Sequence, residues 1–500
     1  MKKQLILLVL IAFNVHVFAQ TIHMELAPTR ATSTSKLPYL AGKVKNETYV
    51  FASDISFNLK YPYMVLARHA NLKKFDQNQK QIFSKDLLLP AAEYFIPLQL
   101  SDKICLIGVK NVAKTCVANI YTLTADGEVR LEKEIGKIAD NPLTKQARFK
   151  AVVSEDRTKF MLIGAGFWED ANIPEGNGGF FVAVYDGNLN LIGSAYKELA
   201  CSWAQFRILD FNILNNTNAC IATLNPSTDE KNKTVGNTSL FFFNAKSNSL
   251  EEQKIELKDK AYNQSGKLLM QQNGTMQLCG FTTNNPKSWS DASATISGVY
   301  SVTINSPNAE PKSNVAINFS DSLRNAVNGK NKVKDKKEIP APSQVDVFTI
   351  GKDILLFASD NISNTDTSSF KTQSQGTRIY SFSDNGRMNW VSSLPGWASA
   401  DYTTNYLHAA PLFVKQPNSI LCIYTEAAKT EKKWKDVYTS ALVCKEIFSD
   451  GAVKQKTLLE SENNDVALIT LPSTCFRQDN GLAAILLGKN VFRPAFIHFK

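Results

Sequence analysis

The residue types best equipped for chemistry are six tryptophans, five histidines and a scatter of carboxylates. Their spacing first says what they do not do. No His-x-x-x-His pair and no Cys/His cluster at zinc spacing occurs, so zinc hydrolysis has no support. No Gly-x-Ser-x-Gly elbow and no phosphate-cradling glycine loop occurs either. The sequence calls for no cofactor and no metal. The segment Trp168-Glu-Asp-Ala-Asn-Ile-Pro-Glu-Gly-Asn-Gly178 gathers oxygen ligands, Glu169 and Asp170 among them. Their order departs from the twelve-residue calcium loop, and a solvated acidic loop is the better reading. Glycoside cleavage needs two carboxylates at a set separation, for which Asp170, Asp291, Asp401 and Glu426 are the candidates. His408 follows Tyr402 and Tyr406 in an aromatic loop, where it is either a general acid or base or a structural histidine entering a strand.

The tryptophans share a different property. Trp168, Trp289 and Trp434 fall in long polar segments, Trp203 and Trp397 fall between repeats, and Trp390 sits in a strand pattern. Rings outside strands make a platform for a sugar, a peptide or a partner protein, or else pin long loops onto the body. The candidate ligand-binding set is therefore Trp168, Glu169, Asp170, Trp203, Trp289, Trp397, Tyr402, His408 and Trp434.

Residues 148–199 show what must carry these side chains. Arg148-Phe-Lys-Ala-Val-Val is followed by a turn at Glu155-Asp156-Arg157. Lys159-Phe-Met-Leu-Ile-Gly-Ala and Gly179-Phe-Phe-Val-Ala-Val-Tyr185 flank a polar excursion, and a turn at Asp186-Gly187-Asn188 leads into residues 189–199. This predicts four short strands. The middle two are apolar on both faces, as strands squeezed between neighbouring sheets must be. Asp-Gly between apolar runs is a hairpin signal because both residues tolerate positive φ.

The pattern recurs. Turns between first and second strands are expected near 102, 156, 216, 274, 352, 417 and 480, and turns between third and fourth strands near 126, 186, 247, 307, 385 and 450, mostly about sixty residues apart. A further, less regular repeat is assigned to residues 46–89, with a first turn near Asn58. Residues 27–42 are read as a polar connector, and residues 320–343, rich in lysine and ending in Pro340 and Pro342, as an exposed, mobile one. The chain ends in three strands near 466–471, 482–487 and 492–499. The missing fourth is the alternating segment at 21–26. The fold expected is all-β: one β-propeller of four-stranded antiparallel blades, eight with seven as the alternative, its ring closed by residues 21–26 pairing with the C-terminal strands. A pair of β-sandwiches is the competing architecture.

In such a ring the second-to-third-strand loops at 168–178, 225–237, 283–296, 360–377 and 426–438 emerge on the face shared with the inter-blade connections. One face is then decorated and the other trimmed. Cys105, Cys220, Cys279 and Cys422 recur in the second strand of their blades, which marks them as buried packing residues. Cys105 with Cys116 and Cys422 with Cys444 are the disulfide candidates of an exported chain.

Met1-Lys2-Lys3, an apolar run and Val17-Phe18-Ala19 make a signal peptide, residues 1–19, ahead of a propeller domain at 20–500. No cysteine follows the cleavage site, so no lipoprotein anchor is expected, and no other apolar run reaches spanning length. Removing Lys2 and Lys3 lowers the net charge from +10 to +8, modest for 500 residues. Basic and aromatic residues do not alternate in the lysine-rich segment, which argues against nucleic acid.

Turns such as Tyr185-Asp-Gly-Asn-Leu and Phe382-Ser-Asp-Asn-Gly, with the signal peptide and strand-dense repeats, resemble uncharacterised exported β-propeller proteins of Gram-negative bacteria. The likeness is architectural and transfers no functional residue. The function expected is a monomeric, periplasmic or extracellular binding or scaffold protein that uses its loop-rich, tryptophan-bearing face to hold a peptide, glycan or protein. The alternative is a glycan-active hydrolase or lyase on the same face.

Overall fold

A computed structural model describes residues 22–26, 30–31, 36–54, 69–78, 80–92, 94–112, 115–135, 148–165, 177–202, 206–228, 234–258, 262–284, 295–307, 309–328, 339–342, 344–366, 369–394, 400–401, 411–426, 429–430, 433–434, 441–460, 476–478, 481–488 and 491–499. Residues 1–19, read from sequence as a signal peptide, lie outside them. Seven four-stranded antiparallel sheets follow one another at 36–88, 94–135, 148–202, 207–255, 262–318, 344–394 and 412–459. The eighth takes Phe476–Gln478, Gly481–Gly488 and Val491–Phe499 from the C-terminal end, and Ile22–Leu26 as its outer strand. Ile22 pairs with Phe499 and Met24 with Ile497. The chain is an eight-bladed β-propeller.

Apolar side chains that alternate along each strand serve the two junctions a blade shares with its neighbours. Phe160, Leu162, Phe180, Val182 and Val184 of the third blade have no exposed surface. The outer strands are far more open, as Val453–Leu459 is along most of its length. Cores lie between blades: Ile22, Leu421, Ile423, Leu482 and Ile497 join the seventh to the eighth, and Cys279, Phe281, Val347, Leu356 and Tyr380 the fifth to the sixth.

Several expectations need correction. The first blade begins at Lys36, not at residue 46, and its first turn is at Lys45-Asn46, where φ is +54° and +133°, not near Asn58. Lys36–Val44 contains Pro38 and Gly42 and follows a Ser/Thr-rich stretch, so it reads as a connector. As an innermost edge strand it tolerates a missing amide. The supposed connector also contributes Arg30–Ala31, paired with Val491–Phe499. The fifth blade starts at Tyr262. The last blade's inner strand is Phe476–Gln478, whereas the segment 466–471 lies outside the described residues.

The lysine-rich connector is partly folded. Ser320 Oγ accepts the Leu323 amide at 3.2 Å and caps a helix, α1, over Asp321–Asn328. Ile339–Pro340 pairs with Thr295–Ile296, and Ile296 and Ile339 are buried.

Neither candidate disulfide forms, in keeping with the reading of these cysteines as packing residues. Cys105, Cys422 and Cys444 are free. Register explains it: Cys105 faces Thr122 while Cys116 faces Asn111, and Cys422 faces Lys445 while Cys444 faces Ile423. Cys105 and Cys116 are thus six register positions apart, and the one-residue offset of Cys422 and Cys444 sends their side chains to opposite faces of the sheet. Cys105, Cys220, Cys279, Cys422 and Cys444 are buried packing residues, and burial pushes the Cys105, Cys279 and Cys444 thiols up to about 12, which leaves them inert.

Candidate functional site

Trp168, Glu169, Asp170, Trp203, Trp289, Trp397, Tyr402 and His408 lie outside the described residues. Trp434 is placed: Lys433–Trp434 pairs with Lys429–Thr430 in a small hairpin beyond the seventh blade. Among the candidate carboxylates, Asp170 and Asp291 also lie outside, and Asp401 belongs to a short strand, Ala400–Asp401, that pairs at Lys371. Glu426 is engaged within its own blade. Its Oε1 lies 4.0 Å from Lys445 Nζ, and its Oε2 accepts Gln455 Nε2 at 3.3 Å.

Among the described residues, charged side chains recur at one place on the innermost strands. Lys150, Asp210, Lys267 and Asp346 stand on the innermost strands of the third to sixth blades. Each lies four positions before the residue that closes its first turn, Ser154, Leu214, Gln271 and Ile350 respectively. Their charges alternate in sign around the channel. Lys267 Nζ lies 3.4 Å from Asp210 Oδ1, and Asp210 Oδ2 accepts the Leu268 amide at 2.8 Å. Innermost strands present an unpaired backbone edge to the channel, and a carboxylate from the neighbouring blade satisfies it here. Gln99 does the same for the first blade: its Oε1 accepts the Lys43 amide at 3.0 Å and its Nε2 donates to the Lys43 carbonyl at 2.5 Å.

The Asp210 carboxylate, joined by Asp346 and opposed by desolvation, holds the Lys267 ammonium above the ordinary lysine value. Lys267 is thus a fixed cation, unsuited to act as an amine nucleophile or base at neutral pH. The Asp210–Lys267 pair ties the fourth blade to the fifth, and the charge of Asp346 on the sixth adds to it. Among the described residues no group of His, Cys, Asp and Glu is arranged to hold a metal.

Because the folded pKa is raised, the pair's stabilisation is present below the unfolded lysine value, about 10.4, and is lost as pH rises through the folded one. The Lys267 side chain keeps 38% of its surface exposed, so screening limits its contribution to about 1 kcal/mol. Urea titrations of the wild type and Lys267→Met should therefore differ by about that much at pH 8, and the gap should close as pH rises through the raised folded value. A gap that persists at high pH would show that packing, not charge, holds the junction.

The two faces of the ring differ. On the face carrying the short turns, polar groups are spent on neighbouring blades. The Ser101 amide donates to the Arg157 carbonyl at 3.0 Å and the Asp156 amide to Asn215 Oδ1 at 3.2 Å, while Gln272 Nε2 reaches past the fourth blade to Glu155 Oε2 of the third at 2.8 Å. Outer strands reach the next blade's turn: Gln253 Nε2 to Ala309 O at 2.7 Å, Ser313 Oγ to Asp384 O at 2.9 Å, and Trp390 Nε1 to Ser449 O at 2.7 Å. Trp390 is a junction residue, as its place in a strand pattern implied.

On the opposite face, segments expected to be loops are extended hairpins. Asn218–Thr228 pairs with Thr234–Asn244 along its whole length, and Asp353–Asp366 pairs with Ser369–Ser383. Sequence reasoning missed these because their outer halves are rich in Asn, Ser and Thr and lack apolar alternation. It also missed the charge belt, although a charge four places before each turn was a visible signal.

No family model matches the chain, and no curated protein matches it. The likeness lies in shape. The WD40 domain of SCAP from fission yeast aligns over 96% of this chain and 98% of its own, at 11% identity and a TM-score of 0.40. Polysaccharide lyase Uly1 aligns over 83% and 91%, at 9% and 0.38. A protein of unknown function from Dyadobacter fermentans aligns over 71% and 95%, at 11% and 0.33. Such identities bear on fold alone.

Proposed function

We propose that this chain is an exported, non-catalytic binding or scaffold protein of the periplasm or cell exterior, which holds a peptide, glycan or protein partner on its hairpin face. The observation that carries the reading is the asymmetry of the ring. Turn-face polar groups are tied to neighbouring blades, while strands of 14 and 15 residues project a hairpin from the other face. Binding surfaces concentrate on elaborations that a rigid scaffold holds out. The leader at residues 1–19 and the architectural likeness to exported propellers of Gram-negative bacteria support export.

Trp289 and Trp397 are assigned to the ligand. On an array of glycans and peptides, the Trp289→Ala/Trp397→Ala double variant should lose at least about tenfold in affinity for whatever the wild type binds, given that aromatic anchors carry much of a binding energy. Unchanged binding would remove the aromatic platform. Release of reducing ends or unsaturated sugars by the wild type would replace binding with the hydrolase or lyase reading.

A further inference from the structure

The sixth blade carries an arm. Its innermost strand, Gln344–Ile350, pairs with the second only as far as Ser359, yet the second strand continues to Asp366 and stays paired with the third down to Ser369. A register shift between Asp360 and Asn361, beside Gly376 at φ +112°, sets the arm off from the blade, as bulges do. Beyond it Asn361–Asp366 runs for about 20 Å at ordinary strand rise. Among the described residues no strand pairs with the outer edge of this segment. The other strand of the arm has already recruited one, because Ala400–Asp401 pairs with Lys371 and Thr372.

The composition of that edge sets it apart. Outer strands of the blades, whose edges also face solvent, carry charges that discourage pairing: Lys85 and Asp86, Glu132 and Lys133, Lys454 and Lys456. Asn361-Ile-Ser-Asn-Thr-Asp366 contains neither Pro nor Gly, and its single charge is terminal.

We propose that the arm binds an extended polypeptide segment of a partner by strand addition along Asn361–Asp366. This rests on the binding reading above and narrows it, since a glycan cannot supply alternating N–H and C=O groups. A peptide segment is favoured over a second copy of the chain because a six-residue edge falls far short of the roughly 1,200 Å² that stable protein–protein interfaces bury. The Ala400–Asp401 pairing shows the same mode on the arm's other side.

The test uses the full chain and a fluorescent peptide copying residues 369–376, the segment that Asn361–Asp366 already accepts on its inner side. Saturable binding is expected at or below about 1 mM. N-methylation of alternate peptide amides in one phase should abolish it and in the other phase leave it intact, because only one edge of the added strand faces the arm. Either Ser363→Pro or Asn364→Pro should weaken it about tenfold with an unchanged unfolding midpoint. Absence of saturation, equal binding of the two N-methylated peptides, or equal binding of both proline variants would overturn strand addition. Failure here while a tryptophan-dependent ligand still binds sinks the arm proposal alone. Loss of that ligand dependence with peptide binding intact sinks the aromatic platform alone.

Discussion

Deleting residues 20–26 should destabilise the protein by about 5 kcal/mol and replace one cooperative unfolding transition with two. Ile22 is buried in the core between the seventh and eighth blades, and Met24 and Leu26 pack against the same core half-exposed. A fully buried aliphatic side chain contributes about 2–3 kcal/mol and a half-buried one about half that, so three of them account for the figure. That is a large share of the roughly 5–15 kcal/mol that holds a folded domain. The opposite side of the strand is lightly held: the His23 and His498 rings stack at 6.0 Å, and Glu25 Oε1 lies 3.2 Å from His498 Nε2. Lys456 Nζ donates to the Ile22 carbonyl from the neighbouring blade. Loss of the strand also bares the edge of Val491–Phe499, an invitation to aggregate. Urea unfolding followed by circular dichroism and tryptophan fluorescence should show the last blade and its neighbours melting first. A synthetic peptide of residues 20–31 should restore the single transition. An unchanged midpoint in the truncated chain would mean that the ring does not depend on this closure.

The ring and its closure were legible because they rest on burial, which sequence records as alternation. The turns were legible in place more than in mechanism. At Asp186-Gly187-Asn188 the positive φ of +67° falls on Leu189, and the turn is held by Asp186 Oδ1, which accepts the amides of Asn188 at 2.9 Å and Asn190 at 2.8 Å. The side chain acts as a surrogate backbone acceptor, so the glycine is not what sets the bend. Lys36–Val44 stayed hidden because an innermost strand is exempt from the rule that excludes proline. The belt of Lys150, Asp210, Lys267 and Asp346 stayed hidden for another reason: its members lie 57 to 79 positions apart, and only the shared distance from each turn relates them. Asn263 shows the limit of motifs. It begins an Asn-x-Ser triplet but is 2% exposed and donates to Thr238 Oγ1 of the neighbouring blade, so it offers no surface for a glycan.

Gly280→Ala should cost about 3–5 kcal/mol, against about 1 kcal/mol for Gly274→Ala a few residues earlier. The contrast separates two reasons for a glycine. Gly274 sits in a turn at φ +88° with nothing within 4 Å of an added Cβ, so alanine meets only backbone strain. At Gly280 a Cβ would fall 1.9 Å from the Ser265 carbonyl oxygen. That carbonyl belongs to the innermost strand of the fifth blade, where a register shift between Asn263 and Ser265 pushes the backbone toward Gly280. It cannot retreat freely, because it also accepts the hydroxyl of fully buried Tyr300 at 3.1 Å. Gly266, opposite Gly280, is hemmed in by the same Tyr300 hydroxyl, 2.6 Å from where its Cβ would be. Relief would have to move the strand that bears Lys267 and Leu268, and so disturb the Asp210 contacts that seal the fourth blade to the fifth. Gly280→Ala should therefore also shrink the pH 8 stability gap between Lys267 and Lys267→Met, measured as a double-mutant cycle in urea. Strict additivity of the two substitutions would show that the strand absorbs the methyl group without shifting the charge belt.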